Sequence, residues 1–427
     1  MREDLLHFIW KYKKLQLQDL RTTKDELLTI ASVGEHNHFS GPDFFNAKLN
    51  IGNQLWAGNV EIHIKSSDWF AHNHETDDNY NNVILHVVWK DDASVFRADG
   101  SEIPTLELKN IIPGTLLENY QKLFSAKRKK FISCENDIAS VNRFEINNWL
   151  ERLYFERLEQ KSEFIFKILK DSQNNWEQVL FALLLKNFGS KVNGDAFLQL
   201  AETLGYDVFK KVCGETEKVE SILFGCAGLL DSEEVRDAYF INLKKEFAFQ
   251  EHKFELDNRT NPKPDFFKLR PTNFPTIRLS QLANLYATHR TLFAKLMSCI
   301  TLQEIYDVFA VSASQYWDNH FTFGKISKKS KKRLTKSFIN LIVINTILPL
   351  KFCYAKDRGE DVNDIILSLI SSLAKEKNSI VDNFEKLPLK VGDAQESQAI
   401  LQLYNEYCTK NKCLQCTIGS NLLNRNG

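Results

Sequence analysis

The hydrophobic pattern of this chain changes once, near Leu116, and that change limits the folds open to it. Before this point, short apolar or alternating runs are separated by glycine-marked turns, which is typical of β-strands. Beyond it, apolar residues recur every three to four positions over long stretches, as in amphipathic helices. The sequence therefore predicts an α+β protein, with an α/β domain at residues 1–118 and a helical domain at residues 119–427.

The N-terminal domain is predicted to run in the order α-β-β-β-(α)-β-β. Glu3–Leu15 has helical periodicity, and Asp77–Asn82 is typical of a short helix or turn. The run Val83–Trp89 is apolar and β-branched, which favours a strand buried on both faces. The five predicted strands are residues 27–33, 43–51, 55–66, 83–89 and 103–108.

The remainder of the chain is predicted to be helical, with a proline-rich loop at residues 262–275. The most apolar run, Phe338–Leu350, is about 13 residues long and is too short to span a membrane. The N-terminus has no apolar signal core, so we expect a cytoplasmic protein without a membrane partner. The clearest predicted helices are Phe144–Leu169, Trp176–Phe188, Leu279–Leu296 and Phe338–Leu348.

The charges balance overall but not locally. Lysine plus arginine and aspartate plus glutamate both number 55, so no global basic field indicates a nucleic-acid-binding protein. Residues 1–120 hold 18 acidic and 11 basic residues, a net charge of −7, which is compatible with cation binding. Basic runs follow at Lys127–Lys130 and Lys325–Lys336. These runs suit contact with nucleic acid, and equally suit solvated helix ends.

A candidate catalytic site lies in the segments GPDF and VEIHIK. Glu61, His63 and Lys65 alternate along one predicted strand and so point to one face, next to Asp43 on the preceding strand. Magnesium prefers carboxylate ligands, and a basic group beside them can orient water or stabilise developing charge. The pattern predicts Mg²⁺ or Mn²⁺ at Asp43 and Glu61, with His63 and Lys65 as further catalytic residues.

A polar segment after this strand offers further ligands. Imidazoles at His72, His74 and His86 could bind zinc together with His63, or line the same cleft and contact phosphate. A third carboxylate could come from the loop residue Glu35, which could also cap that loop. The predicted cleft residues outside the catalytic set are Glu35, Asp68, His72, His74 and His86.

The C-terminus carries a second candidate metal site. Cys408, Cys413 and Cys416 fall within nine residues, and Cys134 is the best fourth ligand. Four thiolates suit zinc or a [4Fe–4S] cluster, while free thiols in a C-terminal tail are the alternative. The other cysteines lie in apolar helical contexts typical of core residues: Cys213, Cys226, Cys299 and Cys353.

The N-terminal order of elements resembles the PD-(D/E)xK nuclease superfamily, whose core runs α-β-β-β-α-β. In that family an aspartate lies on the second strand and a (D/E)xK element on the third. Pro42-Asp43 and Glu61-Ile62-His63 match these segments, except that His63 stands where the family has lysine. Some members also carry an iron–sulfur cluster built from one remote and three clustered cysteines, although their spacing differs from that in this chain.

Six stretches resemble one bacterial family, catalogued as domain of unknown function 2851, over essentially the whole chain. They are GPDFFNAKL, GNVEIHIKSSDWFAHNHETDDNYNNVILHVVW, NWLERLYFERLEQKS, LKNFGSKVNGDAF, LRPTNFPTIRLSQLA and YCTKNKCLQCTIG. That family has no established activity. Within the fifth stretch, Arg270, Asn273 and Arg278 either contact phosphates or cap helices and brace the proline-rich loop.

Three functions follow from these patterns. The first is a Mg²⁺- or Mn²⁺-dependent nuclease acting on DNA or structured nucleic acid. The second is a catalytically silent nuclease-like module that binds nucleic acid or serves in assembly, which the histidine at position 63 favours. The third is a zinc-dependent hydrolase built on His63, His72, His74 and His86.

Overall fold

The computed structural model of this 427-residue chain describes residues 2–37, 39–124, 131–257, 261–387 and 389–425. It has a mixed N-terminal sheet and a large helical region, which confirms the predicted combination of an α/β region with a helical one. The basic run at 127–130 lies outside the described residues.

Two compact units divide the chain. Unit 1 is Met1–Trp149, Asn383–Leu389 and Leu403–Gly427, and unit 2 is Leu150–Asp382 and Lys390–Gln402. This division differs from the predicted boundary between residues 118 and 119. The C-terminal residues belong with unit 1 because their last helix packs on the helix that follows the sheet.

Unit 1 is built around a six-stranded sheet. Its elements up to residue 124 are α1 (Glu3–Lys11), β1 (Leu28–Ser32), β2 (Glu35–His36), β3 (Phe44–Ile51), β4 (Gln54–Lys65), α2 (Asp68–Ala71), β5 (Val83–Lys90), β6 (Thr105–Glu107) and α3 (Gly114–Phe124). The strands match the predicted ones within a few residues, apart from the two-residue β2, which is too short to give a periodic signal.

The order of the sheet is β1-β3-β4-β5-β6, with β2 paired to β3. The pairs β1–β3 and β3–β4 are antiparallel, and β4–β5 and β5–β6 are parallel. Phe44 pairs with Val60, which brings the residue before β3 alongside Glu61. Residues 83–88 of β5 are all buried, as expected for a strand covered on both faces.

Unit 2 is mainly helical. The remaining elements of the chain, in order, are α4 (Arg143–Asp171), α5 (Trp176–Phe188), α6 (Ser190–Leu204), α7 (Tyr206–Val212), α8 (Thr216–Cys226), α9 (Ala238–Phe254), α10 (Pro275–Thr288), α11 (Leu292–Ser298), α12 (Leu302–Val308), β7 (His320–Thr322), β8 (Lys325–Ile326), α13 (Lys336–Ile342), α14 (Leu348–Arg358), α15 (Asn363–Ser371), α16 (Ser379–Lys386), α17 (Ala394–Gln402) and α18 (Thr417–Leu423). Of these, α18 lies wholly within unit 1, and α4 and α16 cross the division between the units.

The single helix predicted at Leu279–Leu296 is two helices, α10 and α11. His289 leaves the helical conformation, with φ −124° and ψ 92°, and its Nε2 lies 3.0 Å from the Val308 carbonyl oxygen. Apolar periodicity continues across this break, so the sequence pattern does not reveal it.

The apolar helical stretch Lys336–Arg358 is longer than predicted. A π-helical turn at Val343–Ile347 joins α13 to α14 just before Pro349, whose ring cannot donate to the carbonyl four residues earlier. By length and composition alone the stretch could cross a membrane, but 72% of its most apolar window is buried in the protein. Burial of this kind also occurs in core helices of soluble proteins.

Candidate metal centre

Asp43 and Glu61 lie side by side where β3 begins. The Asp43 N–H donates to Glu61 Oε2 at 3.1 Å, and the Ile62 N–H donates to Asp43 Oδ2 at 2.9 Å. The antiparallel register of β3 and β4 produces this exchange, so each carboxylate is held by the backbone of the other strand. The structure thus brings together the two carboxylates that the strand pattern placed on neighbouring strands.

Two histidines lie beside one oxygen of Glu61, and a third histidine lies beside the first of them. Glu61 Oε1 lies 3.5 Å from His63 Nε2 and 3.4 Å from His74 Nε2, and His63 Nε2 lies 3.1 Å from His72 Nδ1. One ring nitrogen from each histidine lies within 4.8 Å of the other two. Zinc bonds of ~2.0–2.1 Å in a tetrahedron separate neighbouring ligand atoms by ~3.3–3.4 Å. The three distances given above are close to this value, so the three histidines could hold one transition-metal ion.

The turn after β4 aims His72 and His74 at this point. Asp68 Oδ2 accepts the Lys65 N–H at 2.9 Å where α2 begins. Asn73 then adopts a left-handed conformation, φ 61° and ψ 33°, which asparagine tolerates better than most residues. The His74 ring stacks on Tyr80, with centroids 3.7 Å apart. Asp68 thus shapes the turn that carries the ligands.

His86 supports His63 from the buried side of the site. It is 0% exposed, and its Nε2 lies 2.8 Å from His63 Nδ1. This contact orients the His63 ring so that Nε2 faces Glu61, as a second hydrogen-bonding group commonly does for a ligand histidine. Of the four histidines predicted to bind zinc together, three converge, and His86 instead contacts the Nδ1 side of His63.

The pKa values of these groups suit a cation. Burial, followed by the charge of Asp43, raises the pKa of Glu61 to about 9. Burial, followed by His74 and His72, lowers the pKa of His63 to about 3, and burial also lowers the pKa of His74. At neutral pH these two imidazoles are uncharged and have lone pairs to offer. A bound cation would favour the ionised form of Glu61.

Two residues of α1 also reach this site, and the sequence interpretation missed them. His7 Nε2 lies 3.3 Å from Asp43 Oδ2, and Glu3 is one helical turn earlier. Burial lowers the pKa of His7, but the hydrogen bond to Asp43 and its charge outweigh burial, so the pKa is raised. Burial raises the pKa of Glu3. The i, i+4 spacing of Glu3 and His7 was the available signal.

Two of the predicted site residues lie apart from the carboxylates. Lys65 ends β4 and is exposed, and Glu35 is exposed on β2. Within the described residues, neither the Lys65 ammonium nor the Glu35 carboxylate forms a hydrogen bond or ion pair with Asp43 or Glu61.

The second predicted ligand set also converges. Cys134, Cys408, Cys413 and Cys416, all in unit 1, line one cavity whose other walls are mainly apolar. Burial raises the pKa of Cys134 to about 12. It also raises the pKa of Cys416 to about 11, against the opposing effect of hydrogen bonds from backbone N–H groups at the start of α18. As free thiols, these groups are protonated at neutral pH.

Close packing holds α18 against this cavity. A Cβ at Gly419 would lie 2.1 Å from the Cys413 carbonyl oxygen, so only glycine fits there without movement. The other cysteines lie in unit 2: Cys226, Cys299 and Cys353 are buried, and Cys213 is partly buried.

One comparison with known proteins gives a match. Residues 3–379 match the family model described as "Protein of unknown function (DUF2851)". No curated protein and no solved structure matches the chain.

Proposed function

We propose that this chain, which belongs to the DUF2851 family of proteins of unknown function, is a metal-dependent hydrolase of phosphodiester bonds in nucleic acid. The observation that carries the proposal is the convergence of one ring nitrogen each of His63, His72 and His74, with Glu61 Oε1 beside two of them, His63 and His74. Three imidazoles favour zinc or another transition ion over magnesium, which prefers oxygen ligands. We therefore prefer a metal site that includes the three histidines to the predicted Mg²⁺ or Mn²⁺ site at Asp43 and Glu61 alone.

Such an ion supplies Lewis acidity to the phosphate and lowers the pKa of a water molecule. The chain's own groups have separate tasks. Asp43 holds His7 in place, and the raised pKa of His7 favours its charged form, suited to donating a proton or stabilising negative charge. We assign to His7 the cationic role that the nuclease resemblance gives to a lysine.

The phosphodiester substrate rests on the order of elements. The series α1-β1-β3-β4-α2-β5, with Asp43 before the second main strand and Glu61 on the third, supports the PD-(D/E)xK resemblance. Both carboxylates follow the order of the superfamily's motif, with Asp43 one residue before its strand instead of on it. The exposure of His72 provides a route for substrate from solvent.

One observation favours a second candidate, a silent module that binds nucleic acid or serves in assembly. Glu61 Oε1 lies beside His63 and His74, so the carboxylate could complete a set of four protein ligands, which is typical of structural zinc. Catalytic zinc sites keep one position open. The two candidates share the metal site and differ in whether water or substrate can reach the ion.

Metal analysis and cleavage assays separate these candidates. We expect about one zinc or manganese ion per chain at this site, lost in His63→Ala, and cleavage of plasmid or single-stranded DNA that Asp43→Asn and Glu61→Gln abolish. His252→Ala, an exposed histidine on α9, is the matched control. A metal-loaded wild type without cleavage would favour the silent module. Cleavage equal in all variants would exclude this site.

For the cysteine set we propose a [4Fe–4S] cluster that joins residues distant in sequence within unit 1. Among the described residues, no three cysteine sulfurs lie within 4.8 Å of one another. Four sulfurs around one zinc ion, at ~2.3 Å each, would be ~3.8 Å apart. In a [4Fe–4S] cluster each thiolate binds a different iron, so the four sulfurs can lie farther apart than around one zinc ion. Hydrogen bonds from backbone N–H groups to sulfur, as at Cys416, tune the reduction potential of such clusters.

The test is anaerobic purification followed by visible absorption spectroscopy and analysis of iron, sulfide and zinc. We expect a coloured protein with about four iron atoms per chain. Stoichiometric zinc in a colourless sample would replace the cluster with a zinc site, and a metal-free sample would contradict both.

A further inference from the structure

Unit 2 contains a cleft whose charged lining residues are all basic. The cavity has a volume of about 450 Å³, and none of its described lining residues is acidic. In the part of the chain that the structure describes, none of the five basic groups has a carboxylate oxygen within 4.0 Å. These five residues are Arg270, Arg278, Lys331, Lys332 and Arg333. Their positive charges are therefore not neutralised by close ion pairs.

Arg278 is the most buried of the three arginines that line the cleft, with 6% of its surface exposed. Its guanidinium donates to Gln281 Oε1 at 2.9 Å and to Asn273 Oδ1 at 2.7 Å, and it lies over the Phe338 ring at 3.4 Å. Nε has no hydrogen-bond partner in the described structure. A buried guanidinium held by two neutral amides and one ring keeps an uncompensated charge.

Lys332 is held in a similar way. It is 5% exposed, and its Nζ donates to the Asp318 carbonyl oxygen at 2.8 Å and to Ser330 Oγ at 3.1 Å. Burial lowers the pKa of Lys332, and the nearby Asp318 carboxylate raises it in part. The two buried cations are thus fixed by neutral groups, an arrangement that suits an incoming anion.

The positive surface continues beyond the cleft. The segment that follows β8 carries exposed cations up to the first residue of α13: Lys328, Lys329, Lys331, Arg333 and Lys336. A site for one small anion would not need this row of exposed cations. A chain of phosphates would meet successive charges along it.

We propose that this cleft binds the phosphate backbone of a nucleic acid, with Arg278 and Lys332 at its base and Arg270 and Arg333 at its rim. Arginine presents planar donors to phosphate oxygens, and the hydroxyl groups of Thr272 and Thr335 line the same cavity. Contacts of this kind fix position without reading sequence. The inference stands independently of the hydrolase, because its residues all belong to unit 2.

The test is fluorescence anisotropy of a labelled single-stranded DNA with the full chain, in EDTA, at a series of salt concentrations. The variant Arg270→Gln/Arg333→Gln removes two exposed charges from the rim. The matched control, Lys167→Gln/Lys170→Gln, removes two exposed charges from α4. We expect weaker binding only in the cleft variant, with a salt slope shallower by about 1.4, or ~0.7 for each lost contact.

Arg278→Gln tests the base of the cleft, with circular dichroism to verify that it folds. If it does not fold, the rim variant alone decides. Equal affinity and salt slope in the rim variant and the control overturn the proposal. So does saturation by millimolar inorganic phosphate without binding of the oligonucleotide.

A separate comparison distinguishes this proposal from the hydrolase. Glu61→Gln should lose cleavage, and the DNA binding that remains should still depend on Arg270 and Arg333. Cleft-dependent binding without any cleavage would contradict the hydrolase only. If DNA is cleaved and the cleft variants bind it as the wild type does, only the proposal for the cleft is contradicted.

Discussion

The histidine and cysteine clusters of unit 1 are two candidate metal centres built in different ways. The histidine cluster takes most of its ligands from one short segment, residues 61–74, and its His72 is exposed. The cysteine cluster joins residue 134 to residues 408–416 and is lined by apolar side chains. One is a local, polar site reachable from solvent, and the other is a long-range, buried one.

Because of this difference, we expect metal loss to affect mainly function at the histidine cluster and mainly stability at the cysteine cluster. A local site depends on strand register and one turn, so loss of its ion leaves most long-range packing intact. The cysteine cluster closes a loop of about 270 residues, so a metal there adds its binding energy to folding. Since loop-closure entropy grows slowly with length, bonding to the metal is the larger part of that gain.

The largest expected effect is loss of the cysteine cluster. Cys134→Ser should abolish iron binding and lower the thermal unfolding midpoint strongly, because metal binding is coupled to the packing of the C-terminal residues. Absorption spectra and thermal melts measure both changes. Cys213→Ser, outside the cluster, is the matched control. Retained iron and an unchanged midpoint would show that Cys134 is not a ligand.

The next effect concerns the support of His63. His86→Phe removes the acceptor for His63 Nδ1–H and should weaken zinc or manganese binding by about 10–100-fold, as losses of such supporting groups typically do. Titration calorimetry on the chelator-stripped protein measures this, with His252→Phe as control. Iron content should not change. Unchanged affinity would mean that His63 is oriented without His86.

The sequence predicted those parts of the site that depend on strand periodicity. Alternation in VEIHIK and the turn at residues 52–53 indicated Glu61 and His63 on one face, beside Asp43 on the next strand. In the structure, the pairing of Phe44 with Val60 places Asp43 beside Glu61. Lys65 fits the same alternation, but it is the last residue of β4 and is exposed.

The rest of the site depends on packing that periodicity does not encode. His7 reaches Asp43 because α1 packs on β4. His72 and His74 converge because the backbone of Asn73 between them is left-handed, and this conformation of a single residue leaves no periodic pattern in the sequence. The break between α10 and α11 likewise occurs at a single residue, His289, whose ring contacts the Val308 carbonyl group 19 residues later in the sequence.

A smaller effect tests the packing at the cysteine cluster without removing a ligand. Gly419→Ala should destabilise the protein by about 1–3 kcal/mol, because its Cβ would clash with the Cys413 carbonyl oxygen and push α18 outward. Chemical denaturation measures the change, and Gly114→Ala, where a Cβ meets nothing within 4 Å, is the control. Equal stability of the two variants would mean that α18 can move freely.

The smallest effect is a pH dependence that only the histidine cluster should show. The pKa of Glu61 is about 9 in the folded, metal-free protein, against its ordinary value of 4.5. Between these pH values the folded state keeps a proton that the unfolded state has lost. Above about pH 7, where His63 and His74 are neutral in both states, the free energy of unfolding should therefore fall as pH rises to about 9; at lower pH the lowered pKa values of these histidines act in the opposite direction.

Glu61→Gln, a neutral group of similar shape, should remove this decrease, and a bound cation should remove it in the wild type by favouring ionised Glu61. Denaturation at pH 5, 7 and 9, with and without metal, tests both statements. The same decrease in wild type and variant would place the titrating group elsewhere. A decrease confined to the metal-free wild type would mean that the histidine cluster destabilises the fold until an ion is bound. In the folded, metal-free protein the thiols of Cys134 and Cys416 stay uncharged up to pH 9, because burial raises their pKa values to about 12 and about 11.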